Sequence, residues 1–157
     1  VKDQIVGGLK DASGVATTGI SAVSDVVTAA VSGAGEVGTS AADVAKDAVG
    51  SAVSAVAGTG GDAVQAAAEA TSGAVKGAGE VGGDVGSVAV AAVDGAVKSV
   101  GEIGNDTAQA TEVSVVAAIK AADAIGSEAG GSARKALLNT ASLPRDVIEA
   151  AIKGSGK

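Results

Sequence analysis

Gly79-Glu80-Val81-Gly82-Gly83-Asp84 returns along the chain at a constant step of 22 residues. Upstream stand Ala57-Gly58-Thr59-Gly60-Gly61-Asp62 and Gly35-Glu36-Val37-Gly38, and downstream Gly101-Glu102-Ile103-Gly104-Asn105-Asp106 and Asp123-Ala124-Ile125-Gly126-Ser127-Glu128. No gap is needed to hold the register. A period of this length marks a repeat architecture and is settled before any other reading. With Gly35, Gly79 and Gly101 at position 1, the chain divides into a half unit (1–12), full units 13–34, 35–56, 57–78, 79–100, 101–122 and 123–144, and a partial unit 145–157. The whole is read as one repeat domain. Its start in mid-unit, without Met, leads to the expectation that sequence upstream of Val1 was removed or is missing.

Position 3 is β-branched throughout (Val15, Val37, Thr59, Val81, Ile103, Ile125), and position 4 is Gly38, Gly60, Gly82, Gly104 and Gly126, with Ala16 the exception. Position 6 is acidic in Asp62, Asp84, Asp106 and Glu128, and position 20 carries Lys10, Lys76, Lys98 and Lys120. Apolar residues fall near positions 3, 7, 10 or 11, 14 or 15, 18 or 19, and 22. Steps of three and four are helical spacing, whereas a strand alternates by two. The ends follow the same grammar. Asp62, Asp84 and Asp106 are placed to cap helices starting at position 7. Lysine at position 20 suits the last turn, where the macrodipole favours a cation. Glycine at the following position 1 suits the left-handed residue that closes a helix. Each unit therefore reads as one helix of about 15 residues followed by a Gly-x-Val-Gly turn, with Gly38, Gly60, Gly82, Gly104 and Gly126 as structural turns. Short connections place neighbouring helices antiparallel. The expected fold is all-α: an array or bundle of short antiparallel helices, one per 22-residue repeat. Ala and Gly on the contact stripes let helix axes approach more closely than Leu-rich cores allow.

Two other geometries fit the period. Twenty-two is two elevens, and an eleven-residue repeat runs at about 3.67 residues per turn, so the apolar stripe stays in phase through every junction. A single long amphipathic rod results if the glycines remain helical, at a cost of about 1 kcal/mol each against Ala. A β-solenoid of 22-residue coils is the third. The C-terminal unit departs from the rest. Ala133-Arg134-Lys135-Ala136-Leu137-Leu138 is bulkier and more basic, and Pro144 is the sole proline. Pro144 suits a first helical turn, with Ser142 as the cap of a helix over 145–153. Atypical terminal units cap repeat stacks.

Composition restricts chemistry more than it restricts fold. The chain has 157 residues, 46% hydrophobic, with mean hydropathy +0.41 and net charge −7. It has no aromatic residue, Met, Cys or His. Without Cys there are no disulfides or thiolate metal sites, and without His the commonest general base and metal ligand is absent. Nucleic-acid grooves need dense Lys and Arg, with stacking side chains for single strands, and neither is present. The longest uncharged run, from Ala48 to Gly61, falls short of the roughly 20 residues a membrane span needs. Small-residue spacing resembles membrane packing faces, but Asp43, Lys46, Asp47, Asp62 and Glu69 interrupt every candidate span.

Glu80 with Asp84 and Glu102 with Asp106 form acid pairs four residues apart. Paired carboxylates serve glycoside hydrolysis, yet these recur with the unit and are read as helix caps. One acid per turn also falls short of the ligand set Ca²⁺ takes. Gly58-Thr59-Gly60-Gly61 and Gly33-Ala34-Gly35 lack the strand–Gly-x-Gly-x-x-Gly–helix context of a dinucleotide loop, and no Gly-Lys-Ser/Thr follows. No catalytic, metal-binding or cofactor-binding residue is therefore assigned, and no cofactor is expected.

The Ala/Gly/Val/Thr vocabulary in eleven-residue phase resembles the amphipathic repeats of exchangeable apolipoproteins and synucleins, late embryogenesis abundant proteins and granule-coating phasins. That resemblance, which covers nearly the whole chain at the level of periodicity, implies coating of a lipid, granule or membrane surface, or protection during dehydration. Alanine-rich antifreeze helices share the step, but Thr17, Thr39, Thr59 and Thr107 form no regular row. The function expected is a non-enzymatic structural or interaction protein, whose Ala/Gly/Val faces pack against copies of itself or a protein partner. The alternatives are an amphipathic coat on a lipid or granule surface, and a stress-protectant or ice-binding protein.

Overall fold

The computed structural model describes residues 16–36, 40–140, 143 and 145–155. Among these residues the chain forms seven helices: α1 (Ala16–Glu36), α2 (Ala41–Gly58), α3 (Ala63–Glu80), α4 (Val85–Glu102), α5 (Thr107–Ile125), α6 (Ser127–Asn139) and α7 (Arg145–Ser155). None of them is in a strand, so the β-solenoid is set aside. The uninterrupted rod is set aside too, because the backbone leaves the helix at 59–62, 81–84 and 103–106.

The breaks lie later in the unit than the sequence suggested. Gly79 and Gly101, at position 1, are still helical, as is Ala57, and α2, α3 and α4 each run 18 residues. The left-handed residues are Gly60, Gly82 and Gly104, with φ of 83°, 67° and 80°. Each closes its helix with a crossed pair of hydrogen bonds. Gly61 N–H donates to Val56 O at 2.9 Å and Gly60 N–H to Ala57 O at 3.1 Å. Asn105 N–H to Val100 O at 3.0 Å and Gly104 N–H to Gly101 O at 3.0 Å repeat the pattern, as do Gly83 with Ala78 and Gly82 with Gly79. This is the Schellman arrangement, which requires φ > 0 one residue past the C-cap. Because the helices extend past position 1, Lys76, Lys98 and Lys120 sit before the last turn rather than in it.

Gly126 departs from the expected turn. Its backbone is extended (φ 163°, ψ 168°) and it alone separates α5 from α6. Ser127 and Glu128 replace the Gly61-Asp62, Gly83-Asp84 and Asn105-Asp106 pairs that end the three preceding junctions. The longer Glu makes no side-chain cap bond, and α6 begins one residue after Gly126. Gly38, Ser142 and Pro144 lie outside the described residues.

Every helix up to α5 packs on the next helix and on the one after it. Two rows result: α1, α3, α5 and α7 in one, α2, α4 and α6 in the other. Val23, Val27, Val31, Val49, Val53, Val75, Val88, Val93 and Ile119 are fully buried between them, with Leu137 and Ile148 filling the C-terminal end. α3 touches α1, α2, α4 and α5. Its buried positions are nearly all Ala or Gly, with only Thr71 and Val75 larger. Small side chains let four neighbours reach one helix. Among the described residues position 3 does not belong to the core: Thr59, Val81 and Ile103 stand in the turns, and Ile103 and Ile125, the latter ending α5, are 39% and 43% exposed.

Thr71 and Ser114 are fully buried, and among the described residues neither hydroxyl has a hydrogen-bond partner. A buried hydroxyl without a partner carries a desolvation penalty of about 1–3 kcal/mol. Thr71→Val keeps the shape and changes helix propensity little. It is expected to raise stability by about 1 kcal/mol, read as a higher urea midpoint at unchanged slope.

Candidate functional site

The surfaces on which these helices meet are the chain's most distinctive chemical feature, and glycines build them. A Cβ on Gly73 would collide with the backbone of Ser24, reaching its C and Cα at 3.0 Å, and one on Gly77 would lie 2.8 Å from Thr28 O. In the other row, a Cβ on Gly95 would lie 2.6 Å from Lys46 O and 3.2 Å from Lys46 Cα, and one on Gly50 would lie 2.9 Å from Ser99 Oγ. The paired residue numbers differ by 49 in all four cases (73−24, 77−28, 95−46, 99−50). Both seams thus share one register, with backbone lying against Gly73, Gly77 and Gly95 and the Ser99 side chain against Gly50.

Hydroxyls and charges fix that register. Thr28 Oγ1 lies 2.8 Å from Ser24 O and 2.9 Å from Gly73 O, so its proton is shared between the two helices. The carbonyl of Gly73 is reachable because no side chain shields it. Ser32 Oγ donates to Glu80 Oε1 at 2.7 Å, farther along the same seam. Between α2 and α4, Lys46 Nζ meets Asp94 Oδ2 at 3.0 Å. The hydrogen bond to Asp94 holds the Lys46 ammonium above its ordinary pKa.

The turns are fixed by acids. Asp62 Oδ1 accepts from Val64 N and Gln65 N at 3.0 and 3.2 Å, Asp84 Oδ1 from Ser87 N at 3.1 Å, and Asp106 Oδ1 from Gln109 N at 3.1 Å. The Ser87 N–H, then the Ser87 hydroxyl, holds the Asp84 carboxyl below the usual range. Asp123 is held low by Arg134, whose guanidinium meets both carboxylate oxygens at 2.8 Å. A carboxylate depressed in the folded chain stabilises fully above its unfolded value, and that contribution is lost as pH falls through the folded one. Stability therefore falls below about pH 4. Asp84→Ala is expected to cost about 1 kcal/mol at pH 7 and to lessen the fall between pH 5 and pH 3, both read from urea midpoints.

A groove of about 370 Å³ runs along the α2/α4 seam beside Lys46, Asp47, Ser54, Lys98 and Glu102. Its charges are mixed, and the chain supplies no His or Cys to act there as base or nucleophile. Among the described residues no group of three or more acids is placed to hold a metal ion. Nor is any described helix long and apolar enough to cross a membrane.

Sequence reasoning missed that Gly73, Gly77 and Gly95 are seats for neighbouring backbones and Gly50 for the Ser99 side chain, and that the tightest partners are alternate helices. The signal was available. Gly73 and Gly95 both stand at position 17, inside helical stretches where glycine is unfavourable unless something needs the space. Comparison with family models, curated proteins and solved structures yields no match.

Proposed function

We propose that this chain is a non-enzymatic helical repeat scaffold whose Ala/Gly/Val faces pack against itself or a protein partner. In this reading each 22-residue unit is one helix, neighbouring helices run antiparallel, and alternate helices run parallel in two rows. The observation that carries it is the shared 49-residue register of the two glycine seams. A chain organised so that backbones can touch devotes its sequence to assembly. The acids that could serve as paired catalytic carboxylates recur with the unit, and Asp62, Asp84 and Asp106 act as helix caps.

The surface-coating alternative draws on the same apolar stripe, but here that stripe is already buried between helices. Spreading on lipid would require the array to open. Circular dichroism in plain buffer, with and without anionic vesicles, separates the two readings. The scaffold is fully helical without vesicles and gains nothing from them. A large helical gain confined to vesicles would favour the coat.

A further inference from the structure

We propose that Asn105, in the turn between α4 and α5, is an acceptor site for N-linked glycosylation. The inference is independent of the scaffold reading above. Asn105-Asp106-Thr107 has the Asn-x-Ser/Thr form of an acceptor, with x other than proline. Asn139-Thr140-Ala141, around the chain's other asparagine, lacks the second hydroxyl residue. A three-residue match carries little by itself. The structure adds that neither Asn105 nor Thr107 is accounted for by the fold.

Both residues depart from the repeat, and they do so in the same turn. Position 5 is Gly61 and Gly83 in the two preceding turns, and position 7 is Ala63 and Val85. Ala63 and Val85 are buried, whereas Asn105, Asp106 and Thr107 are all exposed. Asn is favoured in turns where φ is positive or where its side chain bonds nearby backbone. Asn105 does neither, since no described residue other than glycine has positive φ and its carboxamide has no partner among the described residues. Only its backbone N–H is engaged, donating to Val100 O at 3.0 Å. Threonine at a helix start serves as a cap, but Asp106 already holds that place through Gln109 N. The Thr107 methyl faces Gly101, and its hydroxyl has no partner among the described residues.

The two free polar groups are those that the modification uses. The Asn105 carboxamide nitrogen attacks the anomeric carbon of an oligosaccharide carried on a polyprenyl pyrophosphate. A C–N bond forms as the C–O bond to pyrophosphate breaks. The lipid pyrophosphate leaves with the electron pair, and the nitrogen gives up one proton through the transferase. The backbone is already out of the helix at 103–106, so only the first turn of α5 has to yield for Thr107 to be reached. The glycan, bulky and solubilising, projects from this turn beside the exposed Ile103.

The test incubates the folded full chain with detergent-solubilised oligosaccharyltransferase and a polyprenyl-pyrophosphate-linked oligosaccharide. The intact mass is expected to rise from 14.4 kDa by one oligosaccharide, carried on the tryptic peptide spanning 99–120 and released by an N-glycosidase. Asn105→Gln and Thr107→Ala are expected to abolish the gain, and Thr107→Ser and Asn139→Gln to retain it. Asn105→Gly, which restores the residue of the two preceding turns, should abolish it with helicity unchanged, so that loss of the glycan is separated from loss of the fold. A chain that stays at 14.4 kDa overturns the proposal, and so does a glycan that survives Asn105→Gln or Thr107→Ala.

Discussion

Gly95→Ala and Gly73→Ala are each expected to lower stability by about 2–3 kcal/mol, the range for overpacking a close contact. Helix propensity alone predicts the opposite sign, a gain of about 1 kcal/mol for Gly→Ala in a helix interior. The steric term wins because the new methyl meets main chain that cannot rotate away. At Gly95 it stands 2.6 Å from the Lys46 carbonyl oxygen and 3.2 Å from Lys46 Cα. Relief requires α2 and α4 to separate, which also pulls on the Lys46–Asp94 ion pair at 3.0 Å. Gly131→Ala is the control: it too is helical, but with nothing within 4 Å. It should gain about 1 kcal/mol. Urea midpoints at constant slope give all three values. If Gly95→Ala stabilises as Gly131→Ala does, the seams are looser than described.

The second large effect lies in the turns. Gly60, Gly82 and Gly104 hold φ between 67° and 83°, where a Cβ costs about 1–2 kcal/mol. A Cβ at any of them meets no neighbouring atom within 4 Å, so the penalty comes from the backbone and not from crowding. The three sites lie in separate turns and should add. The triple alanine variant is expected to lose about 3–5 kcal/mol. The triple asparagine variant should lose visibly less, because Asn tolerates the left-handed region and closes helices in the same way. Equal losses for Ala and Asn would locate the strain outside the φ angle.

The all-helical class was readable from apolar spacing, and the aspartates at position 6 already looked like helix starts. Two things were not readable. The first was where the helices stop. The sequence offers glycines at positions 1, 4 and 5, and local grammar favoured position 1 as the left-handed residue. The Schellman bonds of Gly60–Gly61 and their counterparts decide for position 4. Helical spacing places the apolar residue at position 3 in the stripe, whereas Ile103 sits exposed in a turn. The second was which helices pair most closely. Periodicity describes one helix at a time, whereas the 49-residue offset belongs to pairs of alternate helices. Gly126 matches the motif at position 4 but lacks the Asp that stands two residues after Gly60, Gly82 and Gly104.

One measurement bears on the account most directly. The chain contains no Cys, so Lys46→Cys/Asp94→Cys carries a single pair of thiols, at positions whose native side chains meet at 3.0 Å. A short bifunctional thiol reagent, which spans neighbouring side chains without the Cβ geometry a direct disulfide demands, is predicted to join the two within one chain, seen as a compact species of monomer mass. In an uninterrupted helix those residues, 48 apart in sequence, would lie about 72 Å from each other. Thiols that stay free, or that link only between chains, would contradict it.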